Sequence, residues 1–296
     1  MSREKYRCPA SPSNPFVPSA TGSSRACASG REPARWSGEA PRAGLLIMNA
    51  DDWGRDRQTT DRTFECVLRG TVSSVSAMVF MEDSERAATI ARERGIDAGL
   101  HLNMTTSFSA RGCPALLVER QRKLARYLLR HRFAHVLFHP GLIRSFDFVV
   151  SAQLEEFCRL YGAQPDRLDG HHHMHLCANV LLRGLLPSGA LVRRNFSFQP
   201  GEKNLCNRLY RRVVDRMLAR RHRLVDFFFS LSPLDPSDRL QQILSLARKS
   251  VVEVETHPVL PEEYGFLTGD ALFRLAGSVQ IGSPSALSMA GTAERR

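Results

Sequence analysis

Leu45-Leu46-Ile47-Met48-Asn49-Ala50-Asp51-Asp52-Trp53-Gly54 is the stretch that decides how the remaining sequence is read. An apolar run ending at once in two acids and a glycine describes a buried parallel strand running into a turn. In wound α/β folds such strand ends carry chemistry. Adjacent carboxylates repel unless something positive lies between them, and a divalent metal is the usual remedy. Taken alone, the pair also fits an Asp-rich turn that only satisfies backbone donors.

Working outward, strand-like and helix-like segments alternate, the pattern of a parallel sheet or barrel wound with helices. Residues 45–49 form the first expected strand. Helix periodicity over 59–69 places Phe64, Val67 and Leu68 on one face, with Gly70 as a stop. A β-branched strand at 72–80, a helix at 82–94 ended by Gly95 and a strand at 98–103 follow. Helices are expected at 119–130 and 149–161, with a short strand at 167–169 delivering Gly170-His171-His172-His173-Met174-His175. Strands at 190–194, 224–229 and 250–256 alternate with helices at 204–221 and 236–247. About seven strand–helix units are too many for a small sandwich and fit a barrel. No fixed-period repeat is present, which argues against a solenoid.

The flanks differ in composition. Residues 1–43 are rich in Ser, Pro, Ala, Gly and Arg without apolar periodicity, and are expected to be a disordered extension. They lack the apolar segment of a secretory signal. Residues 277–296 read as a flexible tail, leaving a single domain over 44–276. The 296-residue chain is 43% hydrophobic, enough for a full core. It holds no apolar run of membrane-spanning length, so a soluble protein is expected. Its seven cysteines are scattered without a C-x-x-C pair, which fits a reducing cytoplasm better than a disulfide framework or zinc ribbon.

Four polar groups fall at the C-terminal ends of expected strands: Asp51-Asp52, His101, His171 to His175, and His257-Pro258. In a wound parallel sheet these ends share one face, where an Asp and two His make a site for a divalent ion that also holds water. Each piece has a plainer reading. His101 fits a satisfied core histidine, the His run an adventitious metal binder, and His257 a loop residue held by Pro258; their joint placement weakens all three. Strand alternation puts His171, His173 and His175 on one side and His172 on the other. Glu253 and Glu255 alternate with Val252 and Val254, so either faces a polar interior or a solvated edge.

Together, Asn49-Ala50-Asp51-Asp52-Trp53-Gly54, Gly99-Leu100-His101-Leu102-Asn103, Asp169-Gly170-His171-His172-His173-Met174-His175 and Glu253-Val254-Glu255-Thr256-His257-Pro258 resemble the YdjC/ChbG family of carbohydrate deacetylases over about residues 44–275. The resemblance implies a distorted TIM-like (β/α) barrel, a divalent metal (Mg or Zn), and hydrolytic removal of acetyl groups from an N-acetylated saccharide, with a homodimer as the common assembly. By position it implies Asp52, His101 and His171 as metal ligands, Asp51 as catalytic base and His257 as general acid. It assigns Arg193 to a substrate-facing position. Asn103, His173, His175 and Glu253 are expected behind the ligands or against substrate. Trp53 stands where the family usually has Phe, and Val259 where it usually has Gly.

The competing reading starts from charge. Lys and Arg number 41 against 30 Asp and Glu, a net charge of +11. Between 208 and 223 seven arginines face only Asp215, on a helix whose Leu205, Leu209, Val213 and Met217 are expected to form the buried side. Such a stripe fits a non-catalytic polyanion or glycan-binding protein. A solvated face on a basic protein is the favoured reading of the stripe, because no aromatic residues interleave for stacking, which also disfavours nucleic acid. A metal-dependent phosphate or ester hydrolase is a third option, weakened by the lack of a glycine-rich phosphate loop.

Overall fold

The computed structural model describes residues 44–131, 133–198, 204–235 and 237–285; the expected extension over 1–43 lies outside them. β1 (Leu45–Trp53) is buried along its whole length, as a strand covered on both faces must be. It is central in a sheet ordered β5-β4-β3-β2-β1-β7-β6, with every pairing parallel. The other strands are β2 (Ser74–Ala77), β3 (Ala98–Leu102), β4 (Arg167–Gly170), β5 (Leu191–Val192), β6 (Phe227–Ser230) and β7 (Val251–Thr256). The sheet curls until its two edges meet. Leu191 bridges Arg223, Val192 N donates to Arg223 O at 2.9 Å, and Ser197 N donates to Phe228 O at 2.8 Å. Seven parallel strands therefore make the distorted barrel expected from the sequence.

Helices follow the strands: α1 (Arg57–Leu68), α2 (Ser84–Arg94), α3 (Ala115–Leu128) and α4 (Ile143–Tyr161), then α5 (Ala178–Arg183), α6 (Leu205–Ala219), α7 (Ser237–Ala247), α8 (Pro261–Thr268) and α9 (Ala271–Ala276). Local chemistry sets several ends. Asp56 caps α1 by accepting from Thr59 N at 2.8 Å, and Gly95 ends α2 in the left-handed region at φ 63°.

Alternation along the strands divides the barrel interior into layers. At the strands' N-terminal ends, Leu45, Ile47, Leu191, Val225 and Val251 form a small apolar plug separate from the main core. One step further along, the inward positions turn polar: Asn49, Asp51, Asp169, Arg193, Glu253 and Glu255 are all buried. Asn49 Nδ2 donates to Ser76 Oγ at 2.7 Å and its Oδ1 accepts from Ser74 Oγ at 2.9 Å, tying β1 to β2. Leu46, Met48 and Ala50 point outward into the core shared with the helices.

Two expectations are corrected. The segment after Gly277 is not loose where it is described: Leu46 N donates to Gln280 O at 2.9 Å, Gly282 N donates to Leu46 O at 3.0 Å, and Ser285 N reaches Asp97 Oδ2 at 3.0 Å. Pairing with β2 begins only at Asn49, which leaves that edge of Leu46 open for Ile281. On α6, Leu205, Leu209 and Val213 are exposed, and Val214 and Leu218 are the buried residues. Periodicity finds residues that share a face, not which face turns inward.

Gly99 in β3 tolerates no side chain, since a Cβ there would sit 2.8 Å from Arg167 O and 2.9 Å from its Cζ. We expect Gly99→Ala to destabilise the fold by about 1–3 kcal/mol, measured as a lowered unfolding midpoint in urea.

Candidate metal centre

Adjacent strand residues normally point to opposite faces, yet Asp51 and Asp52 both line one pocket at the strands' C-terminal ends. A register shift between Ala50 and Trp53 and a left-handed backbone at Asp52, φ 64°, turn the second carboxylate round. The pocket is completed by Arg55, His101, Gly170, His171, His172, His173, Glu255, His257, Val259 and Leu260.

Three ligand atoms converge at its base. Asp52 Oδ1 lies 2.9 Å from His171 Nδ1 and 3.4 Å from His101 Nε2, and the three atoms are within 4.8 Å of one another. Burial disfavours the ionised carboxyl of Asp52, but His101 and His171 hold it far below the usual carboxylate range. Buried Oδ1 nevertheless accepts no hydrogen bond of acceptable geometry. Close approach without hydrogen-bond alignment is what atoms aimed at a common point show. His101 is oriented from behind, its Nδ1 lying 2.7 Å from Asp169 Oδ1, which leaves Nε2 for the pocket. Burial disfavours an imidazolium there, but Asp51, Asp169 and Asp52 outweigh it and push the ring up to about 10. Proton and metal therefore compete for Nε2. One carboxylate and two imidazoles form a donor set that fits a divalent ion with open positions.

Asp51 is held differently. Arg193 Nη1 and Nη2 donate to its two oxygens, each at 2.7 Å, and Asn49 Nδ2 donates to Oδ1 at 2.8 Å. Burial opposes ionisation, but the guanidinium wins and the carboxyl stays below its ordinary value. Arg193 also donates from Nε to Glu253 Oε1 at 2.7 Å and reaches Asp169 Oδ2 at 2.8 Å and Glu255 Oε2 at 3.3 Å. Four carboxylates thus surround one buried cation. Burial raises Glu253 and Glu255, with Asp51 adding to the rise at Glu255, whereas Arg193 draws all four carboxyls toward ionisation.

Several expected positions change. Arg193 is no substrate-facing residue: it lies buried under the pocket floor with Glu253 behind it. Asn103 is likewise away from the pocket wall, bracing the loop after β3 by accepting from Thr106 N at 2.9 Å and donating to Thr106 O at 2.7 Å. Alternation also fails for the histidine run. Residues His171–Leu176 form a tight helical turn with left-handed backbone at His172, φ 53°, and His173, φ 56°. His171, His172 and His173 all reach the pocket, while His175 turns beneath it and its Nε2 donates to Arg193 O at 2.9 Å. Burial pushes His173 down to about 3 and His175 to about 4, keeping both rings neutral.

His257 follows β7 and lines the pocket; its backbone N donates to Glu263 Oε2 at 2.6 Å, which fixes the loop against α8. Asp169, Arg55 and Glu255 belong to the site without having been singled out as site residues. Strand register was the missing signal for Asp169, which is the direct β4 partner of His101.

The model of the family described as "YdjC-like protein" matches residues 45–277. A chitooligosaccharide deacetylase of Proteus mirabilis (strain HI4320) is 33% identical over 139 residues, 47% of this chain and 53% of that protein. A carbohydrate deacetylase of Homo sapiens is 32% identical over 139 residues, 46% of this chain and 42% of that one. The chain spans about half the length of the curated relatives it matches. A crystal structure from Enterococcus faecalis V583, provisionally named as a cellobiose-phosphate cleavage protein, superposes with TM-score 0.58 at 18% identity, over 83% of this chain and 99% of that one. That likeness concerns the fold alone. With four-fifths of the sequence inside the family model and every block of the site in place, the chain belongs to the YdjC-like protein family.

Proposed function

We propose that the chain removes acetyl groups from N-acetylated sugars by metal-dependent hydrolysis, within a functional unit that runs from residue 44 to the clasp at 280–285. The observation that carries this reading is the juxtaposition of Asp51, kept ionised by Arg193, with the Asp52, His101 and His171 donor atoms in one pocket that His257 also lines. The named activities of the relatives point the same way.

Asp52, His101 and His171 would hold a divalent cation, magnesium or zinc, which would supply Lewis acidity to a carbonyl oxygen and to water. The chain's own groups supply the remainder. Asp51, acceptor-only while paired with Arg193, takes the proton from the attacking water. Its lowered basicity means that position, not strength, makes it useful. His257 hands a proton to the departing sugar amine. Arg193 and Asp169 act from behind, the first holding Asp51 and the second fixing the tautomer of His101.

Incubating the metal-loaded protein with a panel of N-acetylated oligosaccharides and quantifying acetate tests the reading; no release from any member, with metal bound, would sink it. His171→Ala removes one of three protein ligands. We expect its affinity for the cation to fall at least about 100-fold by calorimetric titration, with acetate release lost in step.

A further inference from the structure

Two surface stripes outside the pocket combine exposed apolar side chains with basic ones. Between Arg120 and Phe146 the sequence holds seven Arg or Lys and no Asp or Glu. In the strap that follows α3, Leu129, Phe133 and Leu137 are 56%, 55% and 55% exposed, with Phe138 at 39%. Arg122, Arg126, Arg130 and His131 are exposed around them. On α6, Leu205, Leu209 and Val213 are exposed one turn apart, beside exposed Arg208, Arg212 and Arg216. The only acid on that helix, Asp215, turns away to Arg194 Nη2 at 2.9 Å and Asn195 N at 3.0 Å.

The strap packs on α5, the helix that follows the turn carrying His171. His139 N donates to Asn179 Oδ1 at 2.9 Å and Asn179 Nδ2 returns to His139 O at 3.0 Å, tying the strap to α5.

We propose that the strap and α6 dock the protein on an anionic lipid surface. Large apolar side chains in clusters on a soluble surface mark an interaction site, and here each cluster is set among arginines. That combination suits a bilayer interface: aliphatic and aromatic groups enter the acyl boundary while the long basic side chains reach lipid phosphates. A second copy of the chain fits less well, because a two-fold contact brings like-charged stripes face to face. Nucleic acid accounts for the arginines but leaves Leu129, Leu137, Leu205, Leu209 and Val213 without a role. Docking of this kind needs no membrane-spanning helix, and among the described residues there is none.

The test is co-sedimentation of the full chain with vesicles of phosphatidylcholine alone and of phosphatidylcholine with about one third phosphatidylglycerol. Expected is binding to the anionic vesicles, weakened by salt. Leu129→Ser/Phe133→Ser/Leu137→Ser should lower that partitioning about tenfold or more, as should Leu205→Ser/Leu209→Ser on the other stripe. Arg126→Glu/Arg130→Glu should abolish the preference for anionic over neutral vesicles. Unchanged melting temperatures show that these surface variants are folded, and vesicle binding is read without any turnover, so failure of the deacetylase reading does not touch it. Wild type that ignores anionic vesicles overturns the proposal, as does a serine variant that binds like wild type. Stripe-dependent dimerisation or capture of an oligonucleotide or acidic protein, without vesicle binding, equally overturns it.

Discussion

Replacing Asp51 by Asn is expected to lower acetate release about a thousandfold, within the range for removing a positioned general base. The side chain keeps its shape and the ligand atoms of Asp52, His101 and His171 are untouched, so cation binding should persist. Arg193 keeps Asp169, Glu253 and Glu255 as partners. The fold should accordingly survive, with Glu255 ionising more readily because the neighbouring charge that raises it is gone. The decisive measurement pairs acetate release with calorimetric metal titration on the same sample. Activity within about tenfold of wild type would mean that another group accepts the proton. Loss of both activity and metal would place Asp51 among the ligands.

The second large effect concerns stability. Arg193→Met leaves Asp51, Asp169, Glu253 and Glu255 buried around an apolar side chain. Breaking a buried ion pair from one side costs about 3–5 kcal/mol, because the remaining charges lose their partner in a medium that solvates them poorly. In a domain of this size that corresponds to a melting temperature lowered by roughly 10 °C. Arg193→Lys separates charge from geometry. An ammonium restores the positive charge but not the fork that grips both oxygens of Asp51. Stability should recover in part while acetate release stays low. A Met variant that melts with wild type would show that the glutamates and aspartates neutralise one another by sharing protons, with Arg193 incidental.

Much of this architecture was legible in the chain. β1 declares itself by a continuous apolar run and β7 by alternating valine and glutamate, for both strands are buried on both faces and the β7 glutamates face the polar layer around Arg193. The candidate ligands follow from their places at strand ends, where a parallel barrel gathers them. What stayed hidden depends on depth or on backbone hand. Arg193 sits one layer below the pocket, a distance that a strand's sequence does not encode. Left-handed backbone at His172 and His173 is rare for residues with a Cβ, so alternation was the natural reading, and only the packed turn shows otherwise. The exposed leucines of α6 belong with these, because a helix has a face before it has a neighbour.

The apolar plug of Leu45, Ile47, Leu191, Val225 and Val251 has a consequence for how the buried charges above it reach solvent. A barrel stoppered at one end exchanges with bulk water only through its mouth. Asp51 and Glu255, which line the pocket, are the members of the cluster around Arg193 that meet that mouth.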